Sequence, residues 1–513
     1  MRDTQVLIVG AGPTGLVLAL MLTRLGVRVR IIDKTAEPGT TSRALVVHAR
    51  TLEFYRQLGL ADAVVERGLK FIAARLWVAG RQVGRIPFGE MGKGISPFPY
   101  MVIFPQDEHE PLLIDALAQF GVNVERRTEL VAFINGDDGV HATLKRPDGS
   151  EERSDALFVA GCDGARSRVR ESLGIGFPGG TYEHLFYVAD VEARGPVING
   201  ELHAVLDDAD FLAVFPLRGE KHGRLIGTVR DDVAAKRDTL TWSDVSSHVM
   251  NRMGIVVDKV NWFSTYHVHH RVAERFRAGR AFLLGDAAHI HSPVGGQGMN
   301  TGIGDAVNLG WKLAAVIGGR ADQQLLATYQ PERAAFANRL VATTDRAFTI
   351  VTRNGPIARR VRLDVVPRLV PLLFRFTRAR RFMFRTVSQT AITYRGEDLN
   401  VGKAGKVEGG DRLPWLAPEM EAPSTQDNYA PLASLEWQAH VYGVASRTIQ
   451  DVCRERGIAL HEFAWTASAH RAGFARDAVY LVRPDGYVGL AMPASMPEAL
   501  ATYLRNWKIE IAR

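Results

Sequence analysis

The chain has 513 residues, 46% hydrophobic and 23% charged, a globular balance with room for roughly two to four domains and a core able to bury a flat cofactor. The formal charge is +7. Because acids are dispersed throughout, with no basic stripe and stacking aromatics, nucleic acid is not the expected partner, and anionic small molecules such as nicotinamide dinucleotides or phenolates are favoured. Cys162 and Cys453 are the two cysteines, and without a CxxC they support neither a disulfide framework nor a metal site. No stretch reaches the roughly 18 apolar residues of a membrane span and no signal-peptide pattern opens the chain, so a cytoplasmic protein is expected.

Residues 5–9 (QVLIV) predict a buried parallel strand. Residues 16–25 are apolar nearly all round, as in a helix buried on most faces, and 27–33 (VRVRIID) read as the next strand. Short strands broken by Gly and Pro over 71–101 predict an inserted sheet. A helix is expected over 110–120, a strand at 122–124 and a small β region over 131–160. Residues 182–268 are strand-like again, with a helix expected over 238–253. The run 280–284 (RAFLL) reads as a buried strand, followed by a Gly-rich turn and a helix over 304–317. Residues 359–385 are basic and amphipathic, interrupted by Pro367 and Pro371. Helices packed on the main domain with arginines outward are expected there, a membrane-surface helix being the competing reading. Beyond 396 a linker is expected, then strands at 437–442, 478–483 and 487–491 and a closing helix over 498–507.

Three turns carry the chemistry. Gly10-x-Gly12-x-x-Gly15 joins the first strand to the first helix, where backbone N–H groups at the positive helix end can meet a pyrophosphate. Asp33 ends the second strand 18 positions after Gly15 (33 − 15 = 18), where an acid accepts from a ribose hydroxyl. The motif indicates a dinucleotide without saying which. The second turn is Gly161-Cys162-Asp163-Gly164-Ala165-Arg166-Ser167. The third is Gly285-Asp286-Ala287-Ala288-His289, followed by Pro293-x-Gly295-Gly296-Gln297-Gly298-Met299-Asn300. Both set Asp beside Gly at a strand end, where a carboxylate can hold ribose or ribityl hydroxyls.

This ordered set resembles the class A flavoprotein aromatic hydroxylases, the group of para-hydroxybenzoate hydroxylase, phenol hydroxylases and aromatic polyketide hydroxylases. The resemblance covers residues 3–350, and the tail is similar to the thioredoxin-like domain of a subset of them. It implies an α/β fold with a Rossmann-like FAD-binding domain of glutathione-reductase type (1–70, 102–180 and 269–395). An inserted mixed β-sheet substrate domain (71–101 and 181–268) and a thioredoxin-like C-terminal domain (396–513) complete it. FAD would be held tightly. Gly10, Gly12, Pro13, Thr14 and Gly15 would take its diphosphate and Asp33 the adenosine ribose, although glutamate is commoner at position 33; Lys34 is a further cofactor-binding candidate. Arg43 of Thr41-Ser42-Arg43-Ala44 would lie along phosphate and ribose, and Gln106 would touch the cofactor. Asp163 and Gly164 match a motif for FAD and NAD(P)H, and Gly285 and Asp286 one for the ribityl chain. Pro293, Gly295, Gly298, Met299 and Asn300 match the segment beneath the isoalloxazine. Asn300 reads equally as a helix cap.

The same resemblance implies a mechanism. NAD(P)H, bound transiently since no second GxGxxG is present, reduces FAD. O2 adds at the flavin C4a, and the hydroperoxide passes an oxygen to an electron-rich aromatic carbon in a site closed to water. Phe215 and Pro216 of FLAVFPL are the candidate substrate wall. No catalytic side chain is assigned by pattern; His48 and His203 are the candidates for a base, with His289 read as structural. The expected partners are a small aromatic substrate, O2 and NAD(P)H, with no metal and a homodimer as the candidate assembly. Competing readings are a Baeyer–Villiger or epoxidising monooxygenase and a non-catalytic flavin-binding protein. No two of the eight tryptophans stand two apart, against the Trp-x-Trp of flavin halogenases. Without CxxC, the C-terminal domain is expected to serve assembly or lid support.

Overall fold

Val6–Val9, apolar and fully buried, pairs in parallel with Val29–Ile32 on one side and Phe158–Gly161 on the other. Strands buried on both faces in this way suit a parallel sheet. Val124–Glu125 and Ala281–Leu283 extend it in parallel, and Arg277–Ala278 closes one edge antiparallel. The computed structural model describes residues 4–39, 44–71, 73–87, 91–206, 211–229, 240–245, 247–292, 294–352, 360–418 and 426–510.

The helix Pro13–Arg24 covers this sheet and packs against the helix Gly298–Ile317. At their crossing, a Cβ on Gly310 would stand 2.7 Å from Met21 Cγ, so the two helices approach more closely than a side chain would allow. The second helix starts six residues before the expected position 304. Glycines argue against helix by propensity, but Gly302 must lie against Thr14 and Gly285, and packing overrides propensity.

Two other expected helices differ. The one expected over 110–120 is Gln106–Ala118: Asp107 and Glu108 occupy its first turn, where acids suit the helix dipole. In place of a helix over 238–253 there are a 3-10 turn, Trp242–Asp244, and a short helix, His248–Arg252. Residues 238, 239 and 246 of that stretch lie outside the described residues.

The second layer is an eight-stranded sheet in the order His289–Ile290, Val256–Val272, Gly179–Arg194, His222–Thr228, Phe211–Pro216, Leu202–Leu206, Ala74–Val78 and Arg81–Ile86. Alternation along its strands makes two faces. Tyr187, Ala189, Leu212, Val214 and Leu225 share a core with Val249 and Met250 of the short helix. Phe215 and Ile226 face the opposite way, into a cavity.

The last unit runs Gln438–Tyr442, helix Arg447–Arg456, parallel strand Ala459–Phe463, helix Ala467–Ala472, the antiparallel strands Val479–Val482 and Val488–Met492, and helix Glu498–Asn506. Val401–Ala404 adds a parallel edge. Sequence reading anticipates neither Val401–Ala404 nor Ala459–Phe463, whose exposed or polar residues give no apolar run. A buried ionic seam docks this unit. Arg483 reaches Glu332 at 2.6 and 2.9 Å and Asp485 at 2.7 Å. Asp485 accepts from Trp311 Nε1 through its carboxylate and from Arg50 through its carbonyl. No described helix is long and apolar enough to cross a membrane.

The crossing glycine gives a direct test. Gly310→Val should lower the unfolding free energy by about 1–3 kcal/mol through overpacking, measured by denaturant titration; an unchanged midpoint would show that the helices part freely.

Candidate active site

A cavity of about 580 Å³ lies where the two layers meet. Gly12, Pro13 and Thr14 reach it from the first helix, Gly164 from the second turn and Asp286 from the third. Gln106 joins them, and the turn from Gly295 to Met299 forms another side. Leu202, Phe215 and Ile226 bring an apolar wall from the large sheet, with Phe71 and Met101 beside it. The three turns separated in sequence thus converge.

Gly12 reports what the space is for. Its φ of −77° is open to any residue, and a Cβ there would meet no protein atom within 4 Å. Neither backbone strain nor a protein neighbour requires glycine at this position. It stands at the N-cap of a helix with no side-chain cap, so the first N–H groups and the positive helix end face the cavity. An anionic, extended ligand lying against the backbone fits this arrangement.

The glycine turn on the far side is fixed from behind. Gly295 and Gly296 take φ of +76° and +62°, which favours glycine. His48 Nε2–H donates to their carbonyls at 2.9 and 3.1 Å, and its Nδ1 faces Met101 Sδ at 3.0 Å. Asn300 lies inside the helix Gly298–Ile317 and does not cap it. Its Oδ1 accepts from His48 N and Thr51 Oγ1, and its Nδ2 donates to Val46 O and Gly296 O. That uses the full capacity of a side-chain amide. The amide braces the turn, and the polar groups left to a ligand there are backbone.

Asp305 carries the third turn. It accepts from Gly285 N at 3.0 Å, His289 Nε2 at 2.7 Å and Arg333 Nε at 2.6 Å. Burial would raise its pKa, but Arg333 and His289 outweigh this and hold the carboxyl below its usual range. Arg333 also donates to Tyr394 Oη and to Thr301 O in the neighbouring helix. His289 is therefore a structural ligand of this carboxylate.

The other candidate residues divide. Asp33 accepts from Ala11 N at 2.7 Å and from Thr35 N and Oγ1, leaving lone-pair capacity on a carboxylate with about four acceptor sites. Lys34 beside it is exposed. Asp163 ties down its own turn, accepting from Ser167 Oγ and Val169 N. Gln106 donates to Glu110. Phe215 lines the cavity, whereas Pro216 is buried away from its lining. Arg43 and Pro293 lie outside the described residues. His203 is no base at this site: Trp77 Nε1 donates to its Nδ1, and its Nε2 meets Asn199 Oδ1, so neither nitrogen reaches the cavity.

His291 is the residue sequence reasoning missed. It lines the cavity, its Nδ1–H donates to Ser292 O at 2.8 Å, and its buried Nε2 has no hydrogen-bond partner among the described residues. The alternation His289–Ile290–His291 at a strand end was the available signal. Cys162 also lines the cavity, with burial pushing its thiol well above the ordinary range, so it is no nucleophile.

Glycine turns at the ends of parallel strands, two helix N-termini and a shared cavity define a dinucleotide-binding α/β protein. The chain belongs to the FAD binding domain family, whose model matches residues 3–344. It is 37% identical to the 6-methylpretetramide 4-monooxygenase of Streptomyces rimosus, over 79% of this chain and 72% of that protein. It is 33% identical to a flavin-dependent monooxygenase of Mycobacteroides abscessus, over 94% and 96% of the two chains. Among solved structures, the anhydrotetracycline hydroxylase of Streptomyces rimosus superposes over the whole of both chains with a TM-score of 0.79 and 29% identity.

Buried histidines set the acid limit of the fold. Burial pushes His48, His203 and His291 down to about 4 and His109 to about 3. With folded pKa values below the unfolded value, the unfolded chain takes up protons first as pH falls. Their stability contribution is therefore complete above about pH 6.5 and declines toward pH 4, by up to about 1.4 kcal/mol per pH unit for each histidine. Unfolding midpoints should fall steadily across this window and less steeply for His48→Gln; a flat profile would contradict the burial of these rings.

Proposed function

We propose that the chain holds one FAD along this cavity and, with NAD(P)H and O2, hydroxylates a phenolic or polycyclic aromatic substrate. The observation that carries the reading is Gly12, a glycine that no protein neighbour requires, at an uncapped helix end opening on a cavity shared by all three turns. Relatives above 30% identity include a 6-methylpretetramide 4-monooxygenase and a pentachlorophenol 4-monooxygenase, which supports an aromatic, hydroxylated substrate. When bound, the flavin would supply the redox chemistry by which two electrons from the nicotinamide reduce O2, one oxygen atom going to the ring and the other to water.

The chain's own residues do the rest. N–H groups of the Pro13–Arg24 helix take the diphosphate, Asp33 a ribose hydroxyl and Asp286 the ribityl chain. The N–H groups between Gly295 and Met299, at the start of a second helix, stabilise negative charge on the reduced ring edge. His48 and Asn300 position that turn from behind. Phe215, Ile226 and Leu202 exclude water beside the substrate. His291 Nε2, held as an acceptor by its bonded Nδ1–H, takes the hydrogen bond of a substrate hydroxyl and orients the ring.

In this reading, residues 1–70, 102–180 and 269–395 form the FAD domain, 71–101 and 181–268 the substrate domain, and 396–513 a thioredoxin-like unit. The βαβαββα order of the tail supports the last assignment. Lacking CxxC, this unit serves as a brace. A cytoplasmic enzyme, monomeric or homodimeric, is consistent with the reading.

The purified protein should be yellow, oxidise NAD(P)H faster with a phenolic effector and place 18O from 18O2 on a ring carbon; incorporation into an ester would instead mark Baeyer–Villiger chemistry. Gly12→Leu should fold within about 1 kcal/mol of the parent yet retain flavin at least about tenfold less well. Retention at the parental level would remove the ground for the assignment. For His291→Ala, flavin content should hold while KM for the phenol rises about tenfold, from one lost hydrogen bond, and more NAD(P)H is consumed per product. Unaltered KM and coupling would assign the imidazole elsewhere.

A further inference from the structure

Residues 359–385 carry nine arginines against a single acid, Asp364. The helix Val366–Leu373 lies beside the strand Arg81–Ile86, and the helix Thr377–Val387 follows it. The second helix is anchored: Phe384 is buried, and Met383 and Val387 pack against the same core. Arg360, Arg368, Arg375, Arg378, Arg381 and Arg385 are exposed, but so are large apolar residues. Leu369, Leu372 and Leu373 share one helical face (i, i+3, i+4) and are 45% to 50% exposed, while Phe376 and Phe382 are 60% and 73% exposed. Scattered exposed leucines need no explanation; five large apolar side chains within fourteen positions do.

Charge selects among occupants. A second copy of the chain, meeting this face symmetrically, would set the same arginines against one another. An anionic bilayer offers an apolar interior beneath a plane of phosphates, matching apolar side chains flanked by the exposed Arg368, Arg375, Arg378 and Arg381. We propose that this face docks on an anionic lipid surface, its leucines and phenylalanines entering the headgroup–acyl boundary and its arginines meeting lipid phosphates. Val387, on the anchored helix, lines the cavity, so the docked face neighbours the site. The inference rests on exposure and charge and is independent of the reaction assigned above.

The test is co-sedimentation of the full-length protein with vesicles of phosphatidylglycerol and phosphatidylcholine, against phosphatidylcholine alone. The parent should bind the anionic vesicles and not the neutral ones. Neutralising Arg378 and Arg381 with Gln should weaken binding about fivefold per arginine, whereas Arg456→Gln with Arg471→Gln, exposed and remote in sequence, should leave it intact. Leu372→Ser with Phe376→Ser should weaken it about tenfold or more, with catalytic rates in solution unchanged. Failure to bind anionic vesicles at low salt overturns the proposal. Equal losses from both arginine pairs would overturn it too, by showing adsorption through net charge. Insensitivity to the serine variants would exclude insertion, and a concentration-dependent dimer abolished by them would give the face to self-association.

Discussion

One buried carboxylate holds the cofactor side of the molecule in register. Asp305 binds the backbone of the Gly285 turn, the ring of His289 and the guanidinium of Arg333, and through Arg333 it reaches the Gly298–Ile317 helix at Thr301. The Gly285 turn and the helix that follows the Gly295–Met299 turn therefore share one anchor. Its removal would strand Arg333 in the interior, which typically costs about 3–5 kcal/mol. A turn rich in glycine has little stiffness of its own. Rigidity here is lent by side chains behind the backbone: Asp305 for one turn, His48 and Asn300 for the next.

How much of this could be read in advance depended on whether a signal was local. The strand–glycine–helix opening, Asp33 at its second strand and the two Gly-Asp turns are contiguous patterns, and all appear where expected. The eight-stranded sheet was legible as alternating runs, and Phe215 does face the cavity. What failed were inferences needing partners distant in sequence. Asn300 looked available to a ligand until four contacts, three of them from residues 46–51, filled its amide. His48 and His203 looked like bases, but their nitrogens are committed to Gly295, Gly296, Trp77 and Asn199. His291, with no conspicuous motif around it, is the imidazole that lines the cavity. The early start of the Gly298 helix was hidden because propensity counts glycine against a helix, whereas tight packing on Thr14 and Met21 requires it.

The two sides of the cavity divide the physical tasks. The side built from turns offers oriented N–H groups at helix starts, which stabilise negative charge without reorganising. The side built from the sheet offers apolar surface, which keeps water from reactive groups. Under the proposed function, a substrate hydroxyl entering such a site would leave its hydration behind, and His291 Nε2, without a partner among the described residues, would be its acceptor. Position in the fold, more than acid–base strength, is what these side chains contribute.

The seam between the C-terminal unit and the rest has a consequence for modularity. Across it Arg483 pairs with Glu332, which also holds Lys312, and Asp485 accepts from Trp311 and Arg50, every one of these groups buried. A shorter polypeptide ending near residue 396 would expose Trp311 and leave Glu332 without its arginine. The tail is thus less an appendage than a shared wall: cutting it away would bare buried charge on the part left behind.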